Sequence, residues 1–181
     1  MAEPLQPVKV KLFSGFIYSD IKVLNDCVNI LRDAYGQADF ISDEFSFAHT
    51  DYYSEMGNSL LKRFISFEQL VKREDLPAVK LFTNSLENRF SENGIRIINI
   101  DPGYLTMSNV FLASCKDYYH RIYISDGVYM ENELRFTQGR YIPFEWTYPD
   151  YQKEEYLNFF RITRNKYSDQ LKLENKKKDA V

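Results

Sequence analysis

Two hydrophobic periods alternate along this chain, and the points where one gives way to the other divide it into elements. Residues 8–19, VKVKLFSGFIYS, set Val8, Val10 and Leu12 against lysines before turning wholly apolar, which predicts a strand running into a core. Ile21, Leu24, Cys27, Val28, Leu31 and Tyr35 then recur three and four residues apart. This predicts an amphipathic helix over 19–36, capped by Ser19 or Asp20 and ended by Gly36. A second strand is predicted over 38–50, where Phe45 and Phe47 lie two apart, followed by an irregular connection at 51–61. Over 62–71 a third strand sets Phe64, Ser66 and Glu68 against Arg63, Ile65 and Phe67. An acid and Pro77 open a second helix over 74–94, with Val79, Phe82, Leu86 and Phe90 on one face and Asn93-Gly94 at its close. The run 95–101, IRIINID, predicts a fourth strand.

That order, β-α-β-β-α-β, is the ferredoxin-like one, with two helices on one face of an antiparallel sheet. The chain beyond residue 101 is nearly all β: a strand over 110–116, then hairpin signals at Asp126-Gly127 and Gln138-Gly139 within 120–144. Pro149 and Asp150 mark the start of a C-terminal helix within 147–178, striped by Tyr156, Phe159, Phe160, Thr163, Tyr167 and Leu171. The expected architecture is α+β: a ferredoxin-like half extended by antiparallel β-hairpins and closed by a C-terminal helix. No repeat or linker divides the chain, so 1–175 reads as one domain and 176–181 as a basic, disordered tail.

Composition narrows the function classes. With 181 residues and 44% apolar content the chain can bury a real core. A net charge of -3 and a pI near 5.5 argue against generic nucleic-acid binding, which needs a clustered cationic surface. A local basic pocket for a small anion is compatible with that charge. Cys27 and Cys115 form no CxxC pair, and with His49 and His120 they make no zinc pattern, so no metal site is expected. Both thiols are expected free and buried. The start of the chain has no leader pattern, and no window approaches the ~18 apolar residues of a membrane span, so the expectation is a cytoplasmic protein without a membrane partner.

No phosphate loop, dinucleotide fingerprint, nucleophile elbow, HExxH or EF-hand spacing occurs. Four constellations remain. Asp101-Pro102-Gly103 has the residue order of a type II turn, and alternation places Asn99 and Asp101 on one side, where such a turn would hold Asp101 at a pocket mouth. If Asp126-Gly127 is a two-residue loop, residue 125 faces 128, 122 faces 131 and His120 faces Glu133, with Glu131 diagonal and Arg135 farther along. A His beside two carboxylates suits proton transfer, but such a row is also an ordinary solvated face. On the second helix Lys80, Thr83, Asn84 and Glu87 fall within about 100° of one another, readable as surface i,i+4 pairs. Lastly, Tyr52, Tyr53, Tyr118, Tyr119, Tyr123, Tyr129, Tyr141, Trp146, Tyr148 and Tyr151 would suit base stacking, yet no RNP1 pattern is present and packing is the plainer reading.

Six motifs in order, TDYYSEMG (50–57), RFISFEQL (63–70), KLFTNSLE (80–87), NIDPGYLT (99–106), LASCKDYYHRIYISDGVY (112–129) and WTYPDY (146–151), resemble the bacterial domain of unknown function 4416. The resemblance implies neither a catalytic residue nor a cofactor. Members of that family sometimes carry a GTP-binding label; this chain has no phosphate loop and no NKxD for guanine, so no guanine preference is expected. The motif positions Asp101, Gly103, Tyr104, Lys116, Arg121 and Asp150 are ligand-binding candidates, joined by His120; His49 precedes the first motif and is not counted. The leading expectation is a pocket for a small anionic or nucleotide-like ligand. Lys116 and Arg121 would supply charge, Asp101 would orient the ligand or act as base, and His120 would transfer protons. The alternative is a noncatalytic protein–protein interaction module docking through its aromatic sheet or C-terminal helix. Homodimerisation through a sheet edge and enzymatic activity are both left open.

Overall fold

The computed structural model describes residues 1, 3–47, 51–57 and 59–179. Its strands are β1 (Val10–Tyr18), β2 (Ala38–Ile41), β3 (Phe45–Phe47), β4 (Leu60–Val71), β5 (Ile98–Leu105), β6 (Asn109–Ser114), β7 (Ile122–Ser125), β8 (Val128–Thr137) and β9 (Arg140–Pro143). The helices are α1 (Ile21–Tyr35), α2 (Leu76–Arg89) and α3 (Glu154–Asp179), with 3-10 turns at Asp51–Met56, Arg73–Asp75 and Pro149–Gln152. Among the described residues the fold is mixed α+β, with one antiparallel sheet ordered β2-β4-β1-β5-β6-β8-β7; β3 also pairs with β4, and β9 with β8.

Burial follows the periods seen in the sequence. Asp20 caps α1 by accepting the Lys22 N–H at 2.8 Å, and Leu24, Cys27, Val28 and Leu31 turn inward. They share a core with Leu76, Val79 and Leu86 of α2 and with Leu12 and Phe16 of β1. β1 is buried on both faces, and its Phe13 joins a second core with Tyr156, Phe159, Phe160 and Tyr167 of α3. Phe13 meets Phe160 edge-on at 5.1 Å, and Phe64 stacks on Phe159 at 5.2 Å. Such rings bury large apolar areas and dominate core energetics. The helices thus cover both sides of the sheet, α1 and α2 on one and α3 on the other. α3 continues to Asp179, past the predicted boundary at 175.

Several expectations need correction. The strand predicted over 38–50 is two short ones lying along β4. Ser42 divides them, its N–H donating to the Phe64 carbonyl while its hydroxyl accepts the Phe64 N–H. Residues 48–50, with His49, and the side chain of Tyr52 lie outside the described residues. Asp101-Pro102-Gly103 makes no turn: β5 runs straight through it. Gly103 is needed for close approach instead, since a Cβ there would stand 2.1 Å from the Phe111 carbonyl oxygen.

Asp126 and Gly127 do take positive φ, 52° and 75°, as a type I′ turn requires, and Ser125 faces Val128. An extra residue in β7 then shifts the register, so that Tyr123 faces Tyr129 and Ile122 faces Met130. His120 precedes β7 in a turn closed by the Arg121 N–H on the Tyr118 carbonyl, and it does not face Glu133. The two cysteines are free, but only Cys27 is buried; Cys115 is exposed just beyond β6.

Candidate functional site

Among the described residues β5 pairs with β1 along its whole length, but with β6 only over Gly103–Leu105. The remainder of β6 runs on with β8, and the sheet opens beside Ile98–Pro102. Two side chains of α2 stand in for the missing strand. Glu87 accepts the Ile100 N–H at 2.7 Å, and the Lys80 ammonium donates to the Ile100 carbonyl at 3.2 Å. Pro102, two residues on, faces the same side and has no N–H to leave unpaired there.

The opening is a cavity of about 840 Å³. Lys80, Asn84 and Glu87 form its α2 wall, and Asn99 and Asp101 its β5 side. Ala113, Ser114, Cys115 and Lys116 form the β6 side, while Phe47, Tyr53, Tyr148 and Tyr151 supply an aromatic wall. The helix stripe read as surface pairs is therefore an inward face: Lys80 is 7% exposed and Thr83 is buried.

The charges here are unevenly satisfied. Asp101 Oδ1 lies 3.9 Å from the Lys80 ammonium, too far for a hydrogen bond, and Asp101 Oδ2 accepts from the Asn99 amide at 2.8 Å. Asn99 in turn accepts from Arg96 at 2.9 Å. Burial pushes the Glu87 carboxyl up to about 7 even though Lys80 pulls it the other way. Lys62, by contrast, is fully engaged: it meets Asp150 at 2.6 Å, with its ammonium 4.6 Å from the Tyr151 ring centre and 5.2 Å from that of Phe64.

Glu131 also lines the cavity and gathers a second group of charges behind it. Glu131 accepts from Arg121 at 2.9 Å and contacts His120 at 2.8 Å, and Arg121 also donates to the Tyr148 hydroxyl at 2.8 Å. This is no solvated face: His120, Arg121 and Glu131 side chains are nearly inaccessible. Glu133 is wholly buried, and burial, reinforced by the nearby Glu131 charge, raises its carboxyl to about 8. His120 stacks on Trp146 at 5.4 Å.

Of the seven ligand-binding candidates, Asp101, Lys116 and Asp150 line the cavity. Arg121 and His120 reach it only through Glu131 and Tyr148. Gly103 is held against β6, and Tyr104 is buried, its hydroxyl 3.2 Å from the Met130 sulfur. Lys62, Arg96 and Lys153 line the cavity and were missed. Lys62 carried a signal, because it shares the strand face of Phe64 and Ser66. Among the described residues no cluster of His, Cys, Asp or Glu is placed to hold a metal ion, and no helix is long and apolar enough to cross a membrane.

No curated protein and no solved structure matches the chain. A family model described as a domain of unknown function (DUF4416) matches residues 8–167, a span that contains every residue lining the cavity. The chain belongs to the DUF4416 family.

Proposed function

We propose that the protein binds a small anionic ligand in the cavity between α2, β5 and β6, with Lys80 as the anchor. One observation carries this reading. The Lys80 ammonium is buried and, among the described residues, makes a single hydrogen bond, to a backbone carbonyl, with its nearest carboxylate at 3.9 Å. A buried ammonium with unfilled N–H donors is costly, and a bound anion offsets that cost. Lys116 and Lys153 line the same space and raise its potential. The cavity's size is that of a small-molecule site. Asp101 orients the ligand beside Lys80. Asp150 is committed to Lys62, and the proton-transfer role considered for His120 has no support from its position behind Glu131. The unbonded cysteines accord with a cytoplasmic setting, and the interleaved order β2-β4-β1-β5 supports a ferredoxin-like reading of the first half.

Calorimetric titration with inorganic phosphate, pyrophosphate and citrate tests the proposal. At least one should bind the wild type saturably and bind Lys80→Met at least about tenfold more weakly, the worth of one charged hydrogen bond. Absence of binding by all three, or equal binding to the variant, would contradict it.

A second reading rests on the far edge of the sheet. Tyr118, Tyr119, Ile122 and Tyr123 are all exposed, Tyr119 at 79%, around the edge strand β7. Such an edge suits a protein partner, or a second copy, adding a strand. Sedimentation of the wild type and Ile122→Lys separates the two readings, since a β7 interface would be lost in the variant while anion binding persists.

A further inference from the structure

We infer that the cavity selects a hydroxylated, ring-bearing anion, with the chemistry of a phosphorylated sugar, over a bare anion. The inference rests on the anion-binding reading above and adds the class of ligand.

Lys80 keeps acidic company. Glu87 uses one carboxyl oxygen on the Ile100 N–H, and Asp101 uses one on the Asn99 amide. The second oxygen of each makes no hydrogen bond among the described residues. A bare anion seated on Lys80 would face both carboxylates with nothing to offer them. A ligand that also carries hydroxyls donates to these oxygens while its anionic group takes the ammonium. Asn84, on the same wall, bonds among the described residues only through its amide N–H to the Cys115 sulfur at 3.4 Å, and its carbonyl oxygen adds a further acceptor.

An unfilled hydroxyl, independent of these charges, points the same way. Among the described residues the Tyr151 hydroxyl has no hydrogen-bond partner, although the residue is only 2% exposed. It lies over Gly15, where a Cβ would stand 3.5 Å from it, and Gly15 is the register partner of Asp101 across β1 and β5. This hydroxyl thus lies on the same side of the sheet as the Asp101 side chain, and both residues line the cavity. A buried hydroxyl left unpaired costs free energy, and a ligand hydroxyl reaching both groups removes that cost.

An exposed aromatic side chain on the lining favours a ring. Tyr148 lines the cavity and is 43% exposed, so its ring offers a face to the ligand. A compact ring packs its C–H face against such a surface, with its hydroxyl edge toward Asp101, Glu87 and Asn84. A free sugar phosphate and the sugar-phosphate part of a nucleotide share this chemistry.

Calorimetry with glucose 6-phosphate, ribose 5-phosphate, AMP and inorganic phosphate, on the full chain, tests the inference. At least one sugar phosphate should bind at least about tenfold more tightly than inorganic phosphate, the worth of one or two added hydrogen bonds to a charged group. Asp101→Asn should collapse that margin. Tyr151→Phe should narrow it without lowering the melting temperature, since the hydroxyl has no partner among the described residues. AMP binding while ribose 5-phosphate does not would assign the sugar phosphate to a nucleotide and support the inference in that form. Inorganic phosphate binding as tightly as all three organic phosphates would overturn the inference and leave the anion site standing. No binding by any of the four would overturn the inference, and the anion site would fall with it if pyrophosphate and citrate also failed to bind.

Discussion

Glu87 accepts the backbone N–H of Ile100 at 2.7 Å and so occupies the place of a neighbouring strand. With Lys80 on the Ile100 carbonyl, α2 satisfies the edge of β5 without closing the sheet. The opening costs few lost ladder bonds, and it brings polar side chains to a space that a continuous sheet would have filled. Glu87→Ala removes this acceptor and is expected to destabilise by about 1–3 kcal/mol, as for a buried donor left unsatisfied, while Glu87→Gln retains an acceptor and costs less. Urea unfolding of the two variants measures the difference; equal losses would show that the Ile100 contact is immaterial.

Stability should fall with rising pH. Burial raises Glu87 to about 7 and Glu133 to about 8, whereas an unfolded glutamate titrates near ~4.3. Across the interval between, the folded state holds protons that the unfolded chain has released, so raising the pH favours unfolding. This stabilisation is complete below about pH 4 and is lost as pH rises through the folded values. The urea midpoint should decline from pH 5.5 to pH 8.5, and Glu133→Gln should flatten the upper part of that decline. A profile identical in wild type and variant would contradict the burial argument.

Adjacent residues in β5 should respond very unequally to alanine. Gly103→Ala drives a Cβ into the Phe111 carbonyl and is expected to cost about 3 kcal/mol or more, at the upper end of overpacking effects. Pro102→Ala only adds an N–H facing the open side and should stay within about 1 kcal/mol. Comparable losses at both positions would argue for a turn at Asp101-Pro102-Gly103 after all.

The Lys62–Asp150 pair should behave as a buried ion pair. Asp150→Ala leaves the ammonium enclosed by Phe47, Phe64, Tyr151 and Tyr156 and is expected to cost about 3–5 kcal/mol. Adding Lys62→Met should restore much of that loss, because an apolar chain suits the same rings. A double variant less stable than the single one would show that the ammonium is held by something other than Asp150.

The periodic elements were legible because burial enforces period: α1, β1, β4 and α2 lie where their apolar residues place them. The site was less legible. Asp101-Pro102-Gly103 has the local chemistry of a turn, but pairing of β1 with β5 and the close approach of β6 determine the backbone, and these are long-range facts. A single extra residue in β7 moved His120 away from Glu133, which no alternation pattern reveals. Lys80 and Glu87 looked solvated because i,i+4 spacing says nothing about whether a sheet edge lies opposite. Thr83 and Asn84 in mid-helix were the available hint, since both are middling helix formers. The motif positions Asp101, Lys116 and Asp150 did lead to one cavity, whereas Gly103 and Tyr104 mark backbone approach and core packing.

The central claim, an anion held by Lys80 in the open sheet, is tested most directly at Cys115. This exposed thiol lines the cavity, and Cys27, the other cysteine, is buried. Its alkylation rate by iodoacetamide therefore reports on the cavity's occupancy. Saturating glucose 6-phosphate or inorganic phosphate should slow alkylation in the wild type and leave it unchanged in Lys80→Met, with Lys116→Met intermediate. An unprotected wild type, or protection undiminished by Lys80→Met, would contradict the account.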